Sequence, residues 1–261
     1  LKLVKGWVIS DILPKHFRDV SMLHPSWEVN IGLPAAKIDE SITGLYKNTL
    51  KFAWIISESK EQIKITNFLD IIKNNNSKFE FLNIRPEVAA QSVGFIQSAM
   101  LDYGAYTVID VGASTLDICI FNYINIDDIE KQALFTANVD LLGAETINWI
   151  KIVNKQFAKE FKNIDLKKSI QSSFSTSLIN TKDKRAGTLK EWHSSMPVII
   201  CGGGKSSQVH QDALNNSKKI WNSESGGMTG NLKFINTTIP ENLNVNCKND
   251  QYHRLSVAWG L

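Results

Sequence analysis

The chain has 261 residues, of which 43% are hydrophobic and 21% are charged, and its formal net charge is +3. This composition is that of a globular protein, and the length is enough for two domains of ordinary size. Lysine and arginine are spread along the chain, which argues against a nucleic-acid-binding face. The apolar runs are too short to span a membrane, and no signal segment opens the chain. Neither a nucleic acid nor a membrane is therefore expected as a partner.

The three cysteines are Cys119, Cys201 and Cys247. An odd number of widely spaced cysteines forms neither a disulfide framework nor a zinc site. Two of them, Cys119 and Cys201, lie inside apolar runs, where a small buried thiol is expected. A reducing, cytoplasmic location is therefore predicted.

The first part of the chain predicts strands that alternate with helices. Residues 27–34 alternate apolar and polar side chains before a loop and predict a strand, residues 51–57 a second one, and residues 79–82 a short third one. Helical spacing runs through residues 61–73, and residues 86–100 predict a helix with proline at its first position.

The second part of the chain predicts a mixed α/β pattern. Strands are expected at residues 106–110, 115–122 and 198–201. Helices are expected at about 143–161 and at 206–214, and a further polar helix is expected to begin at about residue 165. Loops are expected at 172–188 and 222–231.

The stretch T-V-I-D-V-G-A-S-T-L-D-I-C-I-F, residues 107–121, predicts a tight turn between two strands. Asp110 ends the first strand, where burying an unpaired carboxylate is costly. Gly112 lies at the apex with the small residues Ala113 and Ser114 beside it. Such a turn presents backbone N–H groups that suit a phosphate. An ordinary hairpin, in which Asp110 accepts the turn's hydrogen bonds, is the alternative.

If the turn binds phosphate, the neighbouring polar side chains have roles as well. Asp110 would face Mg²⁺ through water, because magnesium keeps most of its hydration shell. Thr115 offers a hydroxyl near the terminal phosphate, and Asp117 is a candidate to hold the turn or the waters of the metal.

The stretch V-I-I-C-G-G-G-K-S-S-Q, residues 198–208, is not a Walker phosphate loop. That loop needs a glycine five positions before Gly204, and Ile199 occupies the position. Lys205 is a candidate for approaching a phosphate, and a solvated lysine at a helix start is the alternative.

Five segments, taken in order, resemble the motifs of the actin, hexokinase and heat-shock-chaperone ATPase superfamily. The turn D-V-G-A-S-T-L-D resembles its second phosphate motif. The stretch I-R-P-E-V-A-A-Q-S-V-G resembles its first connecting helix, and L-G-A-E-T-I-N resembles the helix start that follows the phosphate turn in chaperones. The stretch V-I-I-C-G-G-G-K-S-S-Q-V resembles its adenosine motif, and R-L-S-V-A-W-G-L resembles its second connection.

The resemblance implies an actin-like ATPase (ribonuclease H-like) α/β fold, with mixed sheets flanked by helices, that binds ATP or ADP with Mg²⁺ in the cytoplasm. The implied catalytic residues are Asp110, Thr115 and Glu87. The residues implied to bind the cofactor are Gly112, Ala113, Ser114, Glu145, Gly202, Gly203, Gly204 and Lys205, and those implied to hold the metal are Asp110 and Asp117.

The chain also departs from the family pattern. The first phosphate motif is absent, so the resemblance implies two lobes of which the first is incomplete, with residues 1–105 as its remainder. Residues 106–261 would form the second lobe, with a reduced insert at about 156–195. Arg85 stands where chaperones have a glutamate, which leaves Glu87 as the acid nearby. Asp165, Lys168 and Ser172 either replace the chaperone adenine clamp or belong to a solvated polar helix.

Three functions are compatible with these motifs. The first is a chaperone-like nucleotide switch that hydrolyses ATP in the full-length protein and acts weakly, or not at all, in this chain alone. The second is a filament-forming relative of the plasmid-segregation type. The third is a non-hydrolysing scaffold. The expected partners are accordingly a nucleotide, with a protein client or self-association.

Overall fold

The computed structural model of the protein describes residues 26–33, 40–58, 70, 79–98, 101–146, 149, 152, 165–224, 230–236, 239–240 and 252. The chain divides into two compact units. The first comprises Leu1–Ile31 and Lys37–Arg85, and the second comprises Gly32–Ala36 and Pro86–Leu261. The predicted helix at 61–73 and most of the one at 143–161 lie outside the described residues. The predicted boundary between residues 105 and 106 and the insert at 156–195 remain predictions.

The first unit holds helix α1 (Glu40–Glu58) and most of a two-stranded sheet formed by β1 (Val29–Leu33) and β2 (Leu82–Pro86). The strand predicted at residues 51–57 is wrong, because these residues are the last turns of α1. A short apolar run without alternation fits a strand or a helix equally well, and here the length of the amphipathic segment decides. The strand predicted at 79–82 begins later, at Leu82.

The second unit is built on a five-stranded mixed sheet with the strand order β5-β4-β3-β6-β7. The neighbours β3–β4 and β4–β5 are antiparallel, whereas β3–β6 and β6–β7 are parallel. The strands are β3 (Gly104–Val111), β4 (Leu116–Ile126), β5 (Ile129–Asp140), β6 (Ser195–Cys201) and β7 (Asn231–Ile235).

Helices cover both faces of this sheet. One apolar cluster joins Val88 and Phe95 of α2 (Glu87–Ser98) to alternate residues of β3 and β4. The other cluster joins β3, β4 and β6 to α3 (Leu166–Lys184) and α4 (Gln208–Glu224) on the opposite face. Successive strand residues point to opposite faces, so the central strands read as continuous apolar runs. The predicted fold class, an α/β fold with a mixed sheet flanked by helices, is confirmed.

Two elements of the second unit differ from the sequence prediction. The Ser- and Thr-rich segment at 172–188 was predicted as a loop, but most of it belongs to α3, whose residues Phe174 and Leu178 are buried in the core. The hydroxyls of Ser177 and Thr181 donate to the carbonyls four residues earlier, so these side chains do not compete with the helix. Strand β5 was not predicted at all.

Candidate functional site

The turn between β3 and β4 is held by its carbonyl groups. Gly112 N–H donates to Thr115 O at 2.9 Å, which closes the turn. The carbonyls of Gly112, Ala113 and Ser114 then accept hydrogen bonds from the amides of three residues after β5, at 2.8–3.1 Å. Those donors are Ala144, Glu145 and Gly143, respectively. A second loop segment therefore supports the whole turn from one side.

This pattern leaves a row of backbone donors without partners. In a trans peptide the N–H and C=O groups point in opposite directions, and none of the described peptide bonds is cis. The N–H groups of Ala113, Ser114 and Thr115 therefore point away from the segment that binds their neighbouring carbonyls. Within the described part of the chain these three amides donate no hydrogen bond. Successive free amides of this kind form an anion-binding nest.

The turn does not depend on a left-handed backbone. Neither Ala113 nor Ser114 has a positive φ. A Cβ atom on Gly112 would lie 3.2 Å from Thr115 O and 3.3 Å from Thr115 Oγ1, so glycine keeps the apex tight. Alanine and serine at the next two positions are thus sterically compatible with the turn.

Carboxylates gather beside the nest. Asp110 is the next-to-last residue of β3, and its Oδ2 accepts a hydrogen bond from Gln91 Nε2 of α2 at 2.9 Å. Burial raises the pKa of Asp110, and the bond from Gln91 opposes that rise. The pKa of Glu87, also on α2, is raised by burial and then by the charge of Asp110. Two acidic groups from different elements thus lie close enough to repel one another.

Asp117 is the most deeply buried of these acids. It is 4% exposed, its Oδ2 accepts a hydrogen bond from Thr115 Oγ1 at 3.1 Å, and no described residue donates to its Oδ1. Burial raises the pKa of Asp117 to about 7, the bond from Thr115 opposes the rise, and the charges of Asp110, Glu87 and Asp140 add to it. A buried carboxylate oxygen without a donor is costly, and a cation with its bound water would relieve that cost.

The side chains fit a metal bound through water better than one bound directly. No group of three or more His, Cys, Asp or Glu side chains among the described residues is arranged to hold a metal ion. Magnesium binds carboxylate oxygens and retains several waters. Asp110 and Asp117 are the groups that would hold such a hydrated ion.

The triple-glycine corner lies against the same strand end. Gly202 has φ +84°, and a Cβ atom there would lie 1.9 Å from Asp110 Oδ1. Gly204 N–H donates to Val111 O at 2.7 Å, and a Cβ on Gly204 would lie 2.7 Å from the Ala144 Cβ. Gly203, in contrast, has no atom of the other described residues within 4 Å of an added Cβ. The outer two glycines are needed for packing, and the middle one leaves the surface open.

A histidine joins this corner to the loop that supports the turn. His210, in the first turn of α4, is 1% exposed. Its Nε2 lies 2.7 Å from Leu142 O, and its Nδ1 lies 2.8 Å from Ser207 Oγ. Because a carbonyl only accepts, Nε2 carries the proton and Nδ1 accepts from the serine. Burial lowers the pKa of His210, so the ring is neutral at physiological pH.

A cavity of about 750 Å³ opens where β5 ends. Hydroxyl, amide and charged groups line it beside Leu141 and Leu142; they come from Asn138, Asp140, Lys168, Ser169, Ser172, Ser173 and Thr176. Asp140 Oδ2 accepts from Ser173 Oγ at 2.5 Å and from Asn138 Nδ2 at 2.7 Å. Asp165 caps α3 by accepting from Lys168 N–H. Lys168 and Ser172, two of the three adenine-clamp candidates, therefore face the same cavity.

Most of the site residues predicted from the sequence come together. Asp110, Thr115 and Asp117 lie at the turn with Gly112, Ala113 and Ser114, and Glu87 and Gly202 lie beside Asp110. Glu145 is placed by its backbone, since its amide binds Ala113 O while its side chain is exposed. Lys205 lines a 190 Å³ cavity with residues of α4 and β7, and its amide donates to Gly202 O at 3.2 Å.

Sequence reasoning missed two residues of the site. Gln91 is fully buried and donates to Asp110, and its Oε1 has no partner in the part of the chain that the structure describes. His210 is the other. A polar residue on the apolar face of α2 was the only available signal for Gln91, and nothing local distinguishes His210, whose partner Leu142 is 68 residues away.

The chain is similar to several solved structures. One is the pCBH ParM non-polymerisable quadruple mutant, with 21% identity, coverage of 89% of this chain and 66% of that chain, and a TM-score of 0.41. A second is an archaeal actin homologue, with 13% identity, coverage of 85% and 75%, and a TM-score of 0.36. A third is MreB5 of Spiroplasma citri bound to ADP, with 11% identity, coverage of 87% and 76%, and a TM-score of 0.37.

The chain spans 66% of the ParM structure and 54% of another crystal structure of the archaeal homologue. No protein-family model and no curated protein sequence matches it. Among the described helices, none has the length and apolar character to cross a membrane.

Proposed function

We propose that the second unit binds a nucleoside di- or triphosphate together with Mg²⁺, as an actin-like ATPase does. One observation carries the proposal. Among the described residues, no group accepts from three successive amides, those of Ala113, Ser114 and Thr115, and no cationic side chain pairs with the carboxylates beside them. Neither an anion alone nor a cation alone would suit both the amides and the carboxylates. An anion alone would be repelled by the acids, and a bare cation would leave the amides unused.

A magnesium–phosphate pair suits both halves. The phosphate oxygens accept from the nest, and the metal neutralises the acids through its waters. Asp110 is the first candidate to hold those waters, because it lies near the end of β3, two residues before Gly112 of the turn. Asp117, with its unpaired Oδ1, is the second. The metal's part in the chemistry would be to neutralise charge on the transferred phosphoryl group.

The open side of Gly203 is the place proposed for the nucleoside. A flat base and its ribose can lie against a backbone that carries no side chain, and nothing stands within 4 Å of that position. Lys168 and Ser172 in the 750 Å³ cavity supply further polar groups for the base or ribose. Glu145 is placed by the hydrogen bond from its amide to Ala113 O.

Hydrolysis would then need a positioned water. Gln91 Oε1 is buried and unpaired, and Glu87 has a raised pKa, so an acceptor and a weak base are both present near Asp110. Catalysis of this reaction comes mainly from positioning and electrostatic stabilisation. Thr115 places a hydroxyl beside the nest. The activity of the whole protein remains a proposal, because the chain spans only part of the structures it is similar to.

Isothermal titration of the purified chain with Mg-ADP and Mg-ATP tests the proposal. Asp110→Ala should weaken binding by about 10- to 100-fold, as loss of a group that orients metal-bound water does. Asp127→Ala is the control, since it removes a carboxylate from the turn between β4 and β5, at the opposite end of β4, and should bind like the wild type. Absence of any binding by the wild type would refute the proposal.

Two companion measurements separate the remaining candidates. Phosphate release distinguishes a hydrolase from a scaffold that only binds nucleotide. Light scattering with and without Mg-ATP distinguishes a filament-forming protein from a nucleotide switch: a rise that requires nucleotide favours self-association, and an unchanged signal favours the switch. The chaperone-like client remains a prediction.

A further inference from the structure

We propose that His210 is a positioning residue that couples the two halves of the nucleotide site, the triple-glycine corner and the phosphate turn. This inference rests on the proposed function. His210 touches neither half directly. It acts through Ser207 on one side and Leu142 on the other.

The path from the glycine corner to the ring is short and fully hydrogen-bonded. Ser207 N–H donates to Gly204 O at 2.8 Å, and Ser207 O accepts from Gln211 N–H at 3.0 Å, so Ser207 joins the corner to the first turn of α4. The hydroxyl of the same serine then donates to His210 Nδ1 at 2.8 Å. The orientation of the imidazole is thereby set by the residue that ends the glycine corner.

The path from the ring to the phosphate turn is equally direct. His210 Nε2 donates to Leu142 O, the peptide group that leads into Gly143. Gly143 is packed so closely against the turn that an added Cβ would lie 2.3 Å from Ala113 O. The next two amides, of Ala144 and Glu145, bind the carbonyls of the turn. A shift at Leu142 would therefore move the amides that bind the carbonyls of the turn, and these hydrogen bonds set the direction of the N–H groups in the nest.

The chemistry of the ring makes this role specific. A neutral imidazole with its proton on Nε2 has a donor nitrogen on one side of the ring and an acceptor nitrogen on the other. One ring can therefore bind Leu142 O and Ser207 Oγ at the same time. Glutamine can still donate to Leu142 O from a similar reach. Leucine fills a similar volume and offers no donor. His210→Gln is accordingly the conservative variant, and His210→Leu is the disruptive one.

Hydrogen exchange of the nucleotide-free chain gives a readout that needs no ligand. In His210→Leu the amides of Ala144 and Glu145 should exchange at least about tenfold faster, as expected when local opening becomes easier by about 1.4 kcal/mol. Amides in the middle of β3 and β4 should be unchanged, and His210→Gln should restore protection at residues 144 and 145. Equal loss of protection throughout the sheet would overturn the proposal, because that result is global destabilisation.

Titrations with Mg-ATP, tripolyphosphate and adenosine give the second readout. Coupling predicts that His210→Leu loses about tenfold in affinity for Mg-ATP but less than about threefold for either fragment, because only the whole nucleotide needs both halves aligned. An equal loss for all three ligands, or no loss at all, would overturn the role of His210. If the wild type binds none of them, the proposed function fails and the positioning role fails with it. If the wild type binds these ligands and His210→Leu binds them equally well, only the positioning role of His210 is refuted and the proposed function stands.

Discussion

Gln91 Nε2 lies 2.9 Å from Asp110 Oδ2, and this hydrogen bond links helix α2 to the end of strand β3. Asp110 is thereby held at the edge of the nest by a neutral donor and not by a cation. Because the donor is neutral, the charge of Asp110 is left available for a metal ion. The Oε1 atom of Gln91 is buried and has no hydrogen-bond partner among the described residues.

The first prediction concerns Gln91. Replacing it with leucine should lower the rate of Mg-ATP hydrolysis by about 100-fold, the size of effect seen when one positioned polar group is removed. Affinity for Mg-ADP should stay within about threefold, because the nest and Asp110 remain. Gln132→Leu is the matched control: Gln132 also bonds to α2, through Ser92, but does not reach Asp110. A parallel loss of binding and hydrolysis would show that Gln91 is structural.

A second prediction contrasts two adjacent glycines. Gly202→Ala should destabilise the protein by about 2 kcal/mol or more, because alanine is strained at φ +84° and its Cβ would overlap Asp110 Oδ1. Gly203→Ala should change the free energy of unfolding by less than about 0.5 kcal/mol, since its Cβ meets open space.

Chemical denaturation measures both variants, and titration with Mg-ADP adds a second contrast. Gly203→Ala should remain folded yet bind nucleotide more weakly, because its methyl group occupies the proposed place of the nucleoside. Tight binding by a well-folded Gly203→Ala would place the nucleoside elsewhere.

A third prediction concerns the pH dependence set by Asp117. Its pKa is about 7 in the folded protein against an ordinary value of 3.8, so between these values the folded state keeps a proton that the unfolded chain has lost. The free energy of unfolding without Mg²⁺ should therefore fall as the pH rises from about 4 to about 7, through this group. In Asp117→Asn that part of the slope should be absent.

Magnesium should oppose this effect if the metal is held near Asp117. Addition of Mg-ADP at pH 8 should raise the melting temperature of the wild type more than that of Asp117→Asn, by mass action on the folded state. The measurement is thermal unfolding at several pH values with and without the ligand. Identical pH profiles for the wild type and the variant would contradict the assignment.

A fourth prediction concerns stability at a point remote from the site. Asp127 and Asp128 form the two-residue turn between β4 and β5, with φ of 54° and 59°. Such a turn prefers Asn-Gly, so Asp128→Gly should stabilise the protein by about 0.5 kcal/mol. Asp128→Val should destabilise it by about 1–2 kcal/mol, because a β-branched residue tolerates positive φ poorly. Urea denaturation distinguishes the two, and nucleotide binding should be unaffected in both.

The sequence by itself determined the parts of this protein that depend on neighbouring residues. The apolar runs of β3, β4 and β6 are recognisable because central strands are buried on both faces. The turn at Gly112 is recognisable because only small residues separate two such runs. Local pattern was insufficient at α1 and α3, where a strand-like apolar run and a Ser-rich stretch are helical because their buried faces pack against other elements.

Only the tertiary structure decided how the acids are balanced and which groups support the turn. Asp110 depends on Gln91, 19 residues away, and the link through His210 to Leu142 spans 68 residues. Sequence pattern reports periodicity over a few turns or strands, whereas burial, hydrogen bonding and charge repulsion act between atoms that folding alone brings together. The free amides of the nest are visible only once their neighbouring carbonyls are seen to be bound.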